Sequence, residues 1–438
     1  FIFNRWSLHM KKSLLALAAL ASVASVANAQ DGVQLYGVID AGIAQSTNNS
    51  DVSSTFVTGI VPTGNEAKAK NLGTTLGMMN GGESATRWGI KGNEDLGQGR
   101  KVGFTLESGF SVANGQLAYS GLAGGSNYQS TADTSLNGQL FGRQAHLDLS
   151  DAHLGALQIG RVYNLQADIV TGGYDPVNFQ MFSPINFSGF YGGGGATDNF
   201  RIDNSLKYNK KFGNYSFNLL YSLGGRSNSY TAGSSEQATV GYENSRFGLQ
   251  GGYQYTHDVT SIGTPGTITN TVSSTVTTTI PTPNSVAVTY NDLRSYILAG
   301  KYNFNQKLTV KGGYEFVQYL PPSNYSSDSV ITNVYNYTVA SSAPGGSKQY
   351  NVYWLGADYD LSDRIKLSGG YYWVTLQAGG TAGDGYDKYA SVAAEYYLSK
   401  RTNFYAAVMN DTKQGAAAAG PAYPSTFNTY GIGVRTKF

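Results

Sequence analysis

Tyr430-Gly431-Ile432-Gly433-Val434-Arg435-Thr436-Lys437-Phe438 alternates apolar and polar residues. Tyr430, Ile432, Val434 and Phe438 share one parity. Gly431, Gly433, Arg435 and Lys437 share the other, and Thr436 is a mild exception on the apolar side. Successive side chains of a strand point to opposite faces, so this stretch is a strand with one oily and one wet side. Residues 349–361 repeat the pattern: Tyr353, Leu355, Ala357, Tyr359 and Leu361 oppose Trp354, Gly356, Asp358 and Asp360. Residues 364–376 are noisier, with Ile365, Leu367, Tyr371 and Trp373 opposing Lys366, Ser368, Tyr372 and Val374.

Working outward, sixteen segments of this kind can be marked. They lie near 33–46, 85–94, 100–110, 140–150, 155–163, 200–212, 214–224, 236–244, 246–257, 290–304, 307–320, 349–361, 364–377, 385–398, 401–410 and 428–438. Short turns at 95–99, 150–155, 212–214, 244–245, 303–306, 362–363 and 399–400 alternate with longer connections, among them 47–84, 111–139, 164–199, 258–289 and 321–348. Lipid cannot satisfy backbone N–H and C=O groups, so a spanning sheet must close on itself. The expected fold is therefore all-β, a 16-stranded antiparallel transmembrane β-barrel with short periplasmic turns and long extracellular loops. An even strand count puts both ends of the barrel on the short-turn side. Tyr208, Phe212, Tyr215, Tyr242, Phe247, Tyr302, Phe304, Tyr396, Tyr397, Phe404 and Tyr405 fall near that side, where an aromatic girdle belongs. The Thr/Ser/Val-rich loop 258–289 is expected to extend its flanking strands above the membrane.

Composition agrees. Charged residues are 13% of the chain, tyrosine reaches 33, glycine 56, and cysteine is absent. After residue 30 no apolar run approaches the roughly 20 residues a membrane helix needs. Before it, Met10-Lys11-Lys12, an apolar run from Leu14 to Leu20 and Ala27-Asn28-Ala29 read as the three parts of a signal peptide at 10–29. Residues 1–9 read as an upstream extension, and 30–438 as the barrel. Removing 1–29 takes Arg5, Lys11 and Lys12 and no acid from 30 basic and 28 acidic residues, leaving 27 against 28. Any electrostatic function must then come from local placement of charge.

Several stretches resemble the general porin family of Gram-negative outer membranes, in its Neisseria- and Burkholderia-type branch. They are Gln34-Leu35-Tyr36-Gly37-Val38-Ile39-Asp40-Ala41-Gly42, Thr86-Arg87-Trp88-Gly89-Ile90-Lys91-Gly92 with Phe104-Thr105-Leu106-Glu107-Ser108-Gly109-Phe110, Phe141-Gly142-Arg143-Gln144-Ala145 leading to Ile159-Gly160-Arg161, Arg201-Ile202-Asp203-Asn204-Ser205, and the terminal strand quoted first. The resemblance implies a homotrimer of barrels, each narrowed by an inward-folded third loop. It also implies passive diffusion of small polar solutes and ions, in contact with outer-membrane lipid and lipopolysaccharide. No cofactor, metal or nucleic-acid partner is expected.

Selectivity in such a channel comes from pore width and the field of lining charges. Trp88 and Ile90 share a face, which turns Arg87 and Lys91 to the lumen. Ile202, Leu206 and Tyr208 are assigned to lipid, which turns Arg201, Asp203, Ser205 and Lys207 to the lumen. Arg87 and Arg201 also match positions where the family places constriction arginines. Arg161 matches another, although Leu157 and Ile159 share its parity; a bend at Gly160 would resolve this. Arg143 conflicts too, because Ala145, Leu147 and Leu149 share its parity. The opposing wall is expected from loop 164–199, through Asp168, Asp175 and Asp198, with glycines at 172–173 and 192–195 allowing sharp bends. The family's Pro-Glu-Phe-Gly element is replaced by Asp175-Pro176-Val177-Asn178-Phe179. The acidic side is therefore expected to be weak and the channel mildly anion-preferring. The family resemblance also implies that strands 1–5 and their neighbours form the trimer contact, and the outer face of 33–46, with Leu35, Val38 or Ile39, and Ile43, is consistent with it.

Two other classes compete. An enzyme would need a placed nucleophile, base and orienter, but His9, His146, His153 and His257 have no such company in sequence, and no zinc spacing or phosphate loop is present. A plugged, adhesive barrel is motivated by loop 258–289 and would show no stepwise conductance. A substrate-specific channel lined by aromatics such as Trp354, Tyr372 and Trp373 is a nearer alternative.

Overall fold

A computed structural model describes residues 32–49, 73–113, 115, 117, 140–179, 181–183, 201–225, 229–262, 267–273, 276–281, 285–323, 333–334, 337–344, 347–378, 383–415 and 426–438. The expected signal peptide 10–29, the extension 1–9 and Asp198 lie outside these residues.

Sixteen strands form a closed antiparallel barrel. They are β1 (Gly32–Asn49), β2 (Gly73–Asn80 and, after a break, Arg87–Gly97), β3 (Arg100–Gly109), β4 (Gln144–Asp151), β5 (Gly155–Tyr163), β6 (Arg201–Phe212), β7 (Tyr215–Ser222) and β8 (Ser235–Glu243). The circuit continues with β9 (Phe247–Ile262), β10 (Ser285–Asn303), β11 (Leu308–Leu320), β12 (Lys348–Ser362), β13 (Ile365–Ala378), β14 (Asp384–Tyr397), β15 (Thr402–Gly415) and β16 (Thr426–Lys437). Each strand pairs with the next, and β1 pairs with β16 from Val38↔Lys437 to Ser46↔Thr429, which closes the ring. No barrel edge is left to template aggregation.

The seven short turns fall where expected, and several share one device. A side-chain oxygen at the turn's start accepts the backbone N–H groups two and three residues on: Asp151 for His153 and Leu154, Asn244 for Arg246 and Phe247, Asn305 for Lys307 and Leu308, Ser399 for Arg401 and Thr402. These local bonds set the turn without help from the rest of the sheet. At the other end, β9 and β10 pair out to Ile262↔Val288, so the Thr/Ser-rich connection does prolong its strands. It also carries a hairpin of Thr267–Ser273 with Val276–Pro281.

Alternation is legible on the outside. Leu147, Leu149, Tyr353, Leu355, Tyr371, Trp373, Tyr430, Ile432 and Val434 are exposed. So are the girdle residues Phe212, Tyr215, Phe247, Tyr302, Phe304, Tyr396 and Phe404. Tyr405 departs from the girdle assignment: it follows Phe404, so it must point inward, where its hydroxyl donates to Asp40 Oδ1 at 2.6 Å. Tyr397 donates to Glu395 Oε1. On β1 the outward set is Leu35, Ile39 and Ile43, while Val38 is buried.

Three strand readings change. The second strand has an extra segment, Gly73–Asn80, paired with the upper half of β1, while Arg87–Gly97 pairs with the lower half. Asp40 holds the break between them: its Oδ2 accepts the N–H groups of Glu83 and Ser84 at 2.9 and 2.6 Å. β4 starts at Gln144 rather than 140. Ile202, assigned to lipid, is buried beside Val162, Leu165 and Leu220. The cause is a register shift between β5 and β6, with Gly160 at φ +136° and Asn204 at φ +52°, which resets the alternation.

The described part of the third long loop, 164–179 and 181–183, folds inside. Its helix α1 (Leu165–Ile169) is capped by Asn164, whose side chain accepts from Ala167 N. A wider turn follows over Val170–Tyr174, and Gly173, at φ +100°, swings the chain out of it.

Candidate functional site

The inner face of β2–β6 gathers basic residues. Arg87 Nε is 3.3 Å from Glu107 Oε2, and Arg143 Nε is 2.7 Å from Glu107 Oε1. Arg143 Nη2 donates to the Tyr163 hydroxyl at 2.7 Å. Arg201 donates to the same hydroxyl at 3.3 Å, with its guanidinium 4.9 Å from the Tyr163 ring centre. Arg161 donates to Asp203 Oδ1 at 2.5 Å and to the Gly142 carbonyl at 2.8 Å. Lys207 reaches Asp168 at 2.5 Å and the Tyr163 carbonyl at 2.9 Å. Tyr36 adds a hydrogen bond to Glu107, and Lys91 lies 5.2 Å from the Tyr36 ring centre.

The structure thus brings Arg87, Arg143, Arg161 and Arg201 together, with Lys91 below them. Both parity conflicts resolve for local reasons. Arg143 sits in the bend before β4, where strand alternation does not yet apply, and Gly160 supplies the bend that turns Arg161 inward. Among the four arginines Arg87 stands out: its side chain is 27% exposed, against 10% for Arg143 and 8% for Arg161, and Arg201 is buried.

Glu107 and Tyr163 hold this wall together and were not singled out from sequence. Glu107 was within reach: it belongs to a quoted motif and pairs directly with Gly89, on the same face as Arg87. Tyr163 offered no signal beyond its closeness to Arg161.

The acidic wall expected from loop 164–199 is different. Asp168 is drawn to Lys207, on the arginine side. Asp175 is 2% exposed and so does not line water. Its Oδ1 accepts the Tyr372 hydroxyl at 2.5 Å and Val177 N, its Oδ2 accepts Ser183, and its carbonyl accepts Lys311. Burial pushes its carboxyl above the ordinary aspartate range, against the pull of the Ser183 and Tyr372 hydrogen bonds and the Lys311 charge.

Asp175 is one fastening in a longer seam. Leu165 N donates to Gln237 of β8 and Gln166 to Ser295 of β10. Trp354 of β12 donates to the Tyr174 carbonyl, Ser391 of β14 to the Phe182 carbonyl, and Met181 N reaches Gly82 in the break of β2. The loop therefore travels around the inner wall. Ile169, Val170, Val177, Phe179 and Phe182 pack on Leu293, Ile297, Val317, Val352, Tyr372 and Tyr389. Trp354 and Tyr372 lie beneath the loop and Trp373 points outward, so these three form no aromatic line along the lumen.

Comparisons with known proteins complete the picture. The family described as Gram-negative porin matches residues 16–416. An outer membrane porin protein of Bordetella pertussis is 27% identical, over 94% of this chain and 99% of its own length. Outer membrane porin protein 32 of Delftia acidovorans is 29% identical over 53% of this chain and 55% of its own. Among solved structures, an anion-selective porin from Comamonas acidovorans superposes with a TM-score of 0.60 at 18% identity, covering 93% of this chain and 100% of that one. OmpT of Vibrio cholerae gives 0.57 at 14% identity, covering 93% and 98%.

Proposed function

From the premise that the chain belongs to the Gram-negative porin family, we propose that the arginine wall of β2–β6 is the selectivity-setting side of a water-filled pore. The protein is an outer-membrane β-barrel porin, and small hydrophilic solutes and ions cross it by passive diffusion. The constriction lies between the wall carrying Arg87, Arg143, Arg161 and Arg201 and the inner flank of the third loop. Lys91 continues the basic face toward the periplasm. The preference is for anions, and it is mild.

One observation carries this reading: the imbalance of charge. Arg87, Arg143, Arg161, Arg201 and Lys207 stand against Glu107, Asp203 and Asp168, two positive charges in excess. A wall of low dielectric focuses such an excess into the aqueous gap. Asp175 stands apart from it, buried between the loop and the opposite wall. The relative from Comamonas acidovorans described as anion-selective supports the same sign.

The assembly is a homotrimer that buries the outer face of β1 and its neighbours, where Leu35, Ile39, Ile43, Leu76 and Met78 are exposed. One Vibrio cholerae OmpT structure of the same fold is a trimer form. Lipopolysaccharide meets the long-loop end.

Reversal potentials across a planar bilayer with a salt gradient test the reading. The anion-preferring sign is expected, with conductance steps in threes. Strong cation preference defeats it, and absence of steps returns the plugged-barrel alternative.

A further inference from the structure

The lipid-facing wall has a bare spot. Gly300 of β10 and Gly312 of β11 are direct register partners. Both sit on outward parity, since Leu298 and Tyr302 on either side of Gly300 are exposed. Their row continues to Leu249 on β9 and Leu355 on β12, both exposed. The next row toward the short turns is Phe247, Tyr302 and Val310. Leu249, Gly300, Tyr302, Val310, Gly312 and Leu355 line a shallow, outward-open cavity of about 380 Å3.

Two adjacent glycines weaken a sheet, because they lose more backbone freedom and pack nothing. Neither has the positive φ that would demand glycine. A Cβ on Gly312 would meet the Trp354 carbonyl at 3.0 Å, so close packing favours glycine there, but a Cβ on Gly300 would meet no atom nearer than 3.8 Å, so close packing against the barrel does not demand glycine at 300. Glycine inside a strand often marks the close approach of another group. Here the approaching phase is hydrocarbon.

The cavity lies toward the short-turn, periplasmic end. From Gly300 to the end of β10 is three residues, roughly 10 Å. At that end two cations flank it: Arg246 in the β8–β9 turn and Lys307 in the β10–β11 turn, both exposed. Among the described residues neither forms an ion pair. A basic rim one chain-segment away from an apolar seat matches a phosphate joined to an acyl chain.

We propose that this cavity seats an acyl chain of an anionic phospholipid of the periplasmic leaflet, with the phosphate held by Arg246 and Lys307. The inference rests on the outer-membrane reading, not on the arginine wall. The face proposed for the trimer contact is on β1 and its neighbours, which leaves β9–β12 to lipid.

The test is native mass spectrometry of the purified full-length assembly, carried through detergent exchange and titrated with dioleoylphosphatidylglycerol or dioleoylphosphatidylcholine. One retained phosphatidylglycerol per chain is expected, bound more tightly than phosphatidylcholine. Gly300→Leu fills the seat and should abolish retention of either lipid. Arg246→Gln with Lys307→Gln leaves the seat and should lower the phosphatidylglycerol preference, by about fivefold for each charge removed. The double variant changes only turn residues, so it keeps the test alive if Gly300→Leu does not fold. Retention unaffected by both variants means ordinary annular lipid and overturns the proposal. Stronger binding of lipid A than of phosphatidylglycerol overturns it as well. If conductance is normal while no lipid is retained, this inference alone fails.

Discussion

The two halves of the inner wall do opposite things with the same strand architecture. On β2–β6 the inward positions carry Arg87, Glu107, His146, Arg161 and Lys207, and the groups answer one another through charge. On β10–β15 the inward positions carry Leu293, Ile297, Val317, Val352, Trp354, Tyr372 and Tyr389, and a loop of the same chain is folded onto them. One half is a wall of paired charges, and Arg87 is the most exposed of its arginines. The other is a hydrophobic core placed inside a pore. In the function proposed above, the first supplies a field and the second a fixed obstruction that brings permeating ions within reach of it.

The comparison breaks most readily at the covered half. Phe182→Ala removes a fully buried ring of the loop and should cost about 3–5 kcal/mol, read as a lower unfolding temperature by intrinsic fluorescence in detergent. An unchanged transition means the loop is not packed. Asp175→Ala leaves the Tyr372 and Ser183 hydroxyls and Val177 N without their acceptor. A loss of about 2 kcal/mol is expected, together with noisier single-channel current as the loop loosens. Quiet current at wild-type conductance would show that other fastenings suffice.

At the open half, Arg87→Gln should act on ions rather than on folding. A charge about 8 Å from a passing ion contributes about 0.5 kcal/mol in water, so the anion-to-cation permeability ratio should fall about fivefold. Unfolding should barely move, because Arg87 is the most solvent-reached arginine of the cluster. The smallest effect on selectivity belongs to Lys311→Gln. Lys311 is a cation too, but it lies in the covered half, matched by Asp358 at 2.5 Å and by the Asp175 carbonyl. Its removal should change the permeability ratio by less than about 1.5-fold, since its side chain is covered by the loop and Lys366, 3.7 Å from Asp358, remains to neutralise that carboxylate. An effect equal to that of Arg87→Gln would erase the distinction between the halves.

The barrel was legible in the sequence because lipid enforces alternation along every strand, as Tyr430–Val434 and Tyr353–Leu361 illustrate. Arg87 and Lys91 were legible for the same reason. Arg143 and Arg161 were not, since a bend and a bulge remove the parity on which the reading depends. The covered half left a clue that parity alone misreads. In 364–376 both faces are apolar, with Tyr371 and Trp373 outside and Tyr372 and Val374 inside. A strand covered on both faces reads as a continuous apolar run, and that noise was the imprint of the loop. The matching signal was in the loop itself, where Ile169-Val170, Val177, Phe179 and Met181-Phe182 are too apolar for a segment lying in water. Asp175 was misplaced because an aspartate in a channel loop suggests a lining charge. Only the positions of Tyr372, Ser183 and Lys311 show it to be a fastening.

The chain contains no cysteine, so single cysteines report cleanly. Lys91→Cys and Thr105→Cys on the open half, and Val317→Cys and Ala393→Cys on the covered half, all occupy inward positions of their strands. A charged methanethiosulfonate reagent applied to channels in a bilayer should modify the first two rapidly and step the current down, and leave the second two untouched. Equal reaction at all four positions would mean that water fills the whole lumen, and the division of the wall into a field and a core would be wrong.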